Sequence, residues 1–291
     1  MSLHQVQSTS EAHSPTTPDV FTGATGRYLR IAAMAIVSTG AAFLEGCAAT
    51  KESQPPANPP AAVTPENALP LTKMLSANLG KYHEAVQRSV FIESAFAGTL
   101  SREQYVLHLQ QRVLMHQELD RVLAEHAAGS PEITAVFGPM QKEPLIFVRE
   151  DLKACGGKEI TEAAALPETK AFLQFVRELE REDPRLAIGV LHVFFGGITN
   201  GGLQIGAAIE EGLPGVSVKY YTGCTGYSEF KVQMNTIKDP ALQKKIVVTA
   251  EQTYEHILKM HNSDPFKPVA EKQQAFMEQG LEAFAFPERA S

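Results

Sequence analysis

The sequence predicts an all-α fold, a bundle of about eight helices, and three observations carry that prediction. From Pro70 onward, apolar residues recur three and four positions apart, the spacing that lines one face of a helix. Helix-opening residues stand ahead of several of these stripes: Ser101, Ser130, Asp183 and Asp239. No strand-like runs alternate with the helical ones, so a parallel nucleotide-binding sheet is not expected.

Leu71, Leu75, Leu79, Tyr82 and Val86 form the first stripe, and a short second segment ends at Gly98. Ser101-Arg102-Glu103-Gln104 has the form of a capping box, opening a long helix through Tyr105, Leu109, Val113, Met115, Leu119 and Leu123 to about His126. Ser130-Pro131 begins another helix, which Gly138-Pro139 interrupts. Helical patterns follow from Pro144 to Cys155 and from Pro167 to Glu182. After the glycine-rich helix described next, Gly215 to Gly226 reads as non-helical. Ser228 to Ile237 reads as a short helix. Asp239-Pro240 caps a helix running to about His261, and a last amphipathic segment falls near Ala270 to Phe284.

The stretch Asp183 to Leu213 organises the rest. Asp183 is a good N-cap, Pro184 fits the first helical position, and Leu186, Val190, Phe194 and Ile198 keep helical spacing. Yet Gly189, Gly196, Gly197, Gly201, Gly202 and Gly206 lie inside this helix. An interior glycine costs about 1 kcal/mol against alanine, so the set costs roughly 5–6 kcal/mol that something else must offset. Gly197 and Gly201 share one face, and Gly202 and Gly206 a neighbouring one. Such a face either admits a flat ligand or lets another helix approach closely.

Composition narrows the function classes. The net charge is −7, which leaves no electrostatic footprint for nucleic acid. Cys47, Cys155 and Cys224 are widely spaced and form no CxxC pair, so neither a zinc site nor a disulfide framework is implied. Residues 1–26 are rich in Ser, Thr, Pro and Gly and read as a disordered leader. Arg27 and Arg30 precede the uncharged run Ile31 to Leu44, which has the length of a signal-peptide core. Leu44-Glu45-Gly46-Cys47 resembles a bacterial lipobox, with Glu45 where a small uncharged residue is usual. Residues 48–67 are Pro-rich and suit a linker, leaving 68–291 as the helical domain. The expectation is a protein of the bacterial envelope, lipid-anchored to a membrane through Cys47. A translation start at Met34 would discard the signal and place the domain in the cytoplasm.

No GxSxG, P-loop or HExxH motif is present, and no histidine follows a Glu by three residues, so a di-iron carboxylate bundle is not expected. His126 and His261 fall near helix ends where the dipole favours a cation. His108, His116 and His256 read as solvated or hydrogen-bonded. His192 lies one turn before Gly196 and could face the same cavity. His83 sits within the first stripe with Gln87 one turn later, a carboxamide placed to orient an imidazole through its second nitrogen.

The segment Leu75 to Gly98 around His83, followed by Leu100 to Val106, resembles the N-terminal helices of the biliverdin-forming haem oxygenases. Gly197-Ile-Thr-Asn-Gly201-Gly202 resembles the Gly-x-x-x-Gly-Gly run of that family's distal helix. Phe230 to Asn235 resembles a third family segment, and the three occur in family order. The resemblance implies a haem oxygenase-like helical bundle. It makes His83 the proximal iron ligand, Gly197 and Gly201 the distal wall, and Lys231 a partner of a haem propionate, with Lys81 or Lys219 assisting. Haem would be both substrate and cofactor, with O₂ and an external electron donor, a reductase, as the other reactants. In the family an Asp follows the first glycine. Here that position is Ile198, or Gly197 if one residue is inserted, and Thr199 or Asn200 is left to hold a water. Three readings follow: an enzyme that opens haem to biliverdin, CO and iron; a haem-binding or haem-sensing lipoprotein without turnover; and a helical scaffold without haem.

Overall fold

A computed structural model of the chain describes residues 69–138 and 143–267, all within one compact unit. The leader, Cys47, the Pro-rich linker and the segment near Ala270 to Phe284 lie outside the described residues. Among the described residues the structure is helical and contains no strand.

Helix α1 (Leu71–Gln87) buries Leu71, Leu75 and Leu79, the first half of the expected stripe. Each such side chain withdrawn from water contributes about 1.5–3 kcal/mol. Helix α2 (Val90–Ala97) stops at Gly98, whose φ of 67° is the left-handed closure that only glycine adopts without strain. Helix α3 (Arg102–Ala127) opens with the capping box in full: the Ser101 hydroxyl accepts from Gln104 N–H, and the Gln104 side chain accepts from Ser101 N–H. Helices α4 (Pro131–Phe137), α5 (Glu143–Ala154) and α6 (Pro167–Glu182) pack against α3 or its neighbours.

The glycine-rich stretch is not one uniform helix. Asp183 caps as expected, accepting from Arg185 N–H, but Pro184 opens a 3₁₀ turn, Pro184–Leu186. Helix α7 (Ala187–Gly196) then runs into a π-helical turn, Gly197–Gly201, and helix α8 (Gly202–Gly212) completes it. A π turn holds one residue more than an α turn, so an extra residue is accommodated here without ending the helix. Pro184–Gly212 is long and apolar enough to cross a membrane, but most of that surface is buried inside the bundle.

The stretch expected to be non-helical contains a single turn, α9 (Lys219–Thr222). Its cause lies far away in sequence. Asp151 on α5 is fully buried, and its carboxylate accepts from Lys219 N–H, Tyr220 N–H and the Ser217 hydroxyl. A helix start ordinarily needs such an acceptor locally. Helix α10 (Tyr227–Met234) follows, and α11 (Pro240–His261) opens with Asp239 accepting from Ala241 N–H. Helix α11 packs along both α1 and α7, so it forms the floor that joins the His83 helix to the glycine-rich one. Cys155 and Cys224 are both free.

Candidate functional site

The glycines of the run divide into two sets by what stands opposite them. A Cβ built on Gly189 would fall 2.6 Å from the Ile246 carbonyl oxygen, and one on Gly202 would fall 2.4 Å from the Tyr221 carbonyl oxygen. These positions let α11 and α9 approach the helix axis closely. A Cβ on Gly197 would meet nothing within 4 Å, and one on Gly201 only the tip of Ile205 at 4.0 Å. The π turn therefore carries a patch without side chains that no neighbour fills.

His83 stays exposed, yet its ring sits edge-on to Tyr254 of α11 at 6.4 Å between centroids. Desolvation lowers its pKa, which favours the neutral imidazole that a metal ligand must be. Gln87 is half-buried and makes no hydrogen bond to His83 among the described residues; Tyr254, not the expected carboxamide, is what packs on that ring. Tyr254 in turn feels Tyr227, after burial has raised its pKa. Tyr227 reaches the π turn, where a Cβ on Gly196 would stand 3.0 Å from its hydroxyl. His83 thus has the Tyr254 ring at its edge, and Gly196 has the Tyr227 hydroxyl beside it.

The remaining groups on and near the π turn have specific partners. Thr199 donates its hydroxyl proton to the Phe195 carbonyl at 2.7 Å, so it retains only acceptor capacity. Asn200 is exposed. Ile198 is buried in the core, so it presents nothing to the open face. Lys231 is exposed, with its ammonium 5.0 Å from the Tyr227 ring centroid, and no carboxylate pairs with it among the described residues. Lys219, expected as a second cation, is instead paired with Glu150 at 2.9 Å. Lys81 lies over the Tyr82 ring. His192 stacks on Phe230, and its Nδ1 is buried without a hydrogen-bond partner. Burial, then the Lys231 charge, lowers its pKa to about 4.

Three other histidines belong to the core rather than to a site. His261 is not the cation expected at a helix end. It is buried, and desolvation and then Arg112 push its pKa well down. Arg112 donates to its Nε2, and its Nδ1 lies 3.1 Å from the Ser89 hydroxyl. His108 and His116 are buried and bonded to the hydroxyls of Tyr221 and Tyr220. His126 pairs with Glu180, beside Glu125, but Arg121 already bridges both carboxylates, which leaves no anionic cage for a metal ion.

The described residues thus form an all-helical bundle with an exposed imidazole on one helix and an unfilled glycine patch on a π-kinked one. The family described as Heme oxygenase matches residues 69–263, and the chain belongs to that family. Among solved structures, haem oxygenase-2 from the cyanobacterium Synechocystis, in complex with haem and NO, is 16% identical. The match covers 77% of this chain and 95% of that one, with a TM-score of 0.62. Haem oxygenase from Leptospira interrogans is 16% identical over 67% of this chain and 99% of that one, with a TM-score of 0.58. Haem oxygenase-1 from Synechocystis, in complex with haem, is 16% identical over 74% and 98%, with a TM-score of 0.57. A search of curated proteins returns no match.

Proposed function

We propose that this protein binds haem between α1 and the π turn, with His83 as axial ligand, and opens it with O₂ and electrons to biliverdin, CO and iron. The observation that carries the reading is the unfilled face at Gly197 and Gly201, together with an exposed imidazole on α1. The residues present fit the group: a flat macrocycle needs a wall without Cβ atoms, and Gly197 has open space where one would be. Bound haem would supply the iron that activates O₂ and the ring that is opened, acting as cofactor and substrate together.

The chain's own residues do the rest. His83 offers a neutral ring nitrogen at pH 7 because desolvation has lowered its pKa. Gly197 and Gly201 keep the opposite wall flat. Lys231 supplies a positive charge to a propionate without first breaking an ion pair. Electrons come from an external donor, a reductase, and Cys47 anchors the domain to the bacterial envelope by a lipid. Membership of the family and the likeness to haem-bound relatives support this reading.

One observation favours a second reading, haem binding without turnover. Neither Ile198, buried, nor Gly197, without a side chain, puts a carboxylate on the turn. Adding haem and a chemical reductant in air separates the two. Loss of the Soret band with growth of biliverdin absorbance supports the enzyme, and a persistent Soret band supports the binder. No Soret shift on adding haem refutes both.

A further inference from the structure

We infer that the core of the bundle holds one small monovalent anion of the halide class on Arg112 and His108, where α3 meets Tyr221 and the end of α11. The inference does not depend on the haem reading above. Arg112 is buried, and a guanidinium keeps its charge inside a protein. Its contacts are one hydrogen bond to His261 Nε2, at 3.2 Å, and the face of Phe194, 5.2 Å from its Cζ. No carboxylate pairs with it among the described residues. Asp151, the carboxylate of the core, is taken up by Ser217, Lys219 N–H and Tyr220 N–H. A buried charge without a counter-charge is strongly destabilising, so something else must answer it.

Two nitrogens here are buried and have no hydrogen-bond partner, Arg112 Nε and His108 Nδ1. The two residues are four apart on α3, so they share one face of that helix. Both also meet His261, Arg112 through its hydrogen bond and His108 at 5.5 Å between ring centroids. Both nitrogens are donors. Guanidinium Nε always carries a hydrogen. The Tyr221 hydroxyl, 2.8 Å from His108 Nε2, has no other partner among the described residues, so it donates there and the imidazole proton sits on Nδ1. His261 adds no charge of its own. The Ser89 hydroxyl gives its proton to the Val86 carbonyl, so His261 donates from Nδ1 to Ser89 and accepts from Arg112 at Nε2. Phe91 stacks on His108 at 4.0 Å and lies 5.0 Å from His261, which makes the surroundings apolar. A water molecule would satisfy the two donors but leave the charge; a monovalent anion answers both. An ion of one atom needs the least room among packed side chains.

The test is urea unfolding of the full chain at pH 7 and fixed ionic strength, with chloride replaced stepwise by methanesulfonate, an anion too large for the site. Unfolding opens the core, so burial does not prevent the ion from exchanging. Above the dissociation constant, each tenfold rise in chloride should lower the unfolding constant about tenfold. Arg112→Met keeps the length of the side chain, removes the charge and both reasons for the ion, and should abolish the chloride response. The second measurement needs no variant: crystals of the unaltered protein grown in bromide should give an anomalous peak within hydrogen-bonding reach of Arg112 Nε and His108 Nδ1. An unfolding constant that is the same in chloride and methanesulfonate overturns the inference. So does a chloride response that survives in Arg112→Met, because the ion then binds elsewhere. A bromide map with no peak at Arg112 overturns it as well, and that map decides alone if Arg112→Met does not fold.

Discussion

Replacing Gly197 with alanine, and separately Gly202 with alanine, should move the stability of this protein in opposite directions. Both glycines lie in one continuous helical stretch, so helix propensity alone favours alanine at each by about 1 kcal/mol. At Gly197 the new methyl group meets nothing within 4 Å, and that gain stands nearly alone. At Gly202 it would lie 2.4 Å from the Tyr221 carbonyl oxygen and 3.2 Å from its carbonyl carbon. That backbone cannot retreat easily, because buried Asp151 holds the adjacent N–H groups of Lys219 and Tyr220. Overpacking of this kind costs about 1–3 kcal/mol or more. The propensity gain is common to both and cancels, so the two variants should differ by the overpacking cost, about 1–3 kcal/mol or more, which with a urea slope of about 1–3 kcal/mol per molar separates their midpoints by on the order of 1 M. The stabilised chain should also lose function. Gly197→Leu fills the open face and should weaken haem binding in a Soret titration without unfolding the protein. Equal shifts in the two midpoints, or full haem affinity in Gly197→Leu, would refute the division of the glycines into packing and ligand positions.

Two further predictions concern the buried polar groups. His116 and His192 have pKa values lowered from 6.5 to about 3 and about 4, mainly by burial. A group with a depressed folded-state pKa resists the proton that the unfolded chain accepts, so stability is lost as pH falls below 6.5. By pH 5 each of the two should have cost about 2 kcal/mol, with buried His108 and His261 adding in the same direction. Urea midpoints that are equal at pH 7 and pH 5 would contradict this. Asp151→Ala leaves two backbone N–H groups and the Ser217 hydroxyl without their acceptor and should cost about 3 kcal/mol. A thermal midpoint unmoved in that variant would mean that α9 forms without the Asp151 carboxylate.

Much of the architecture was legible because its causes are local. Ser101 and Gln104 are three residues apart, and Asp239 immediately precedes its helix, so pattern and caps alone place α3 and α11. Helix α9 was not legible, because its capping carboxylate, Asp151, lies nearly seventy residues earlier and looks like any acidic residue on a helix. His261 misled for the same reason. A helix end suggests a cation, but Arg112 and Ser89, both remote in sequence, make it a neutral core residue. Of the site, the sequence marked His83 and the glycine run but had no means of separating Gly197 from Gly202, since only the neighbour that each one faces distinguishes them. Tyr227 and Tyr254 carried no signal at all. An aromatic residue at helical spacing reads as core until the structure shows what its hydroxyl or its edge touches.

The central claim is that His83 presents its imidazole to a ligand held against Gly197 and Gly201. The most direct measurement is the absorption spectrum of the reduced protein loaded with haem, recorded for the unaltered chain and for His83→Ala. The account predicts a five-coordinate, histidine-ligated ferrous spectrum that disappears in His83→Ala and returns when imidazole is added. Survival of that spectrum in His83→Ala without added imidazole would contradict it.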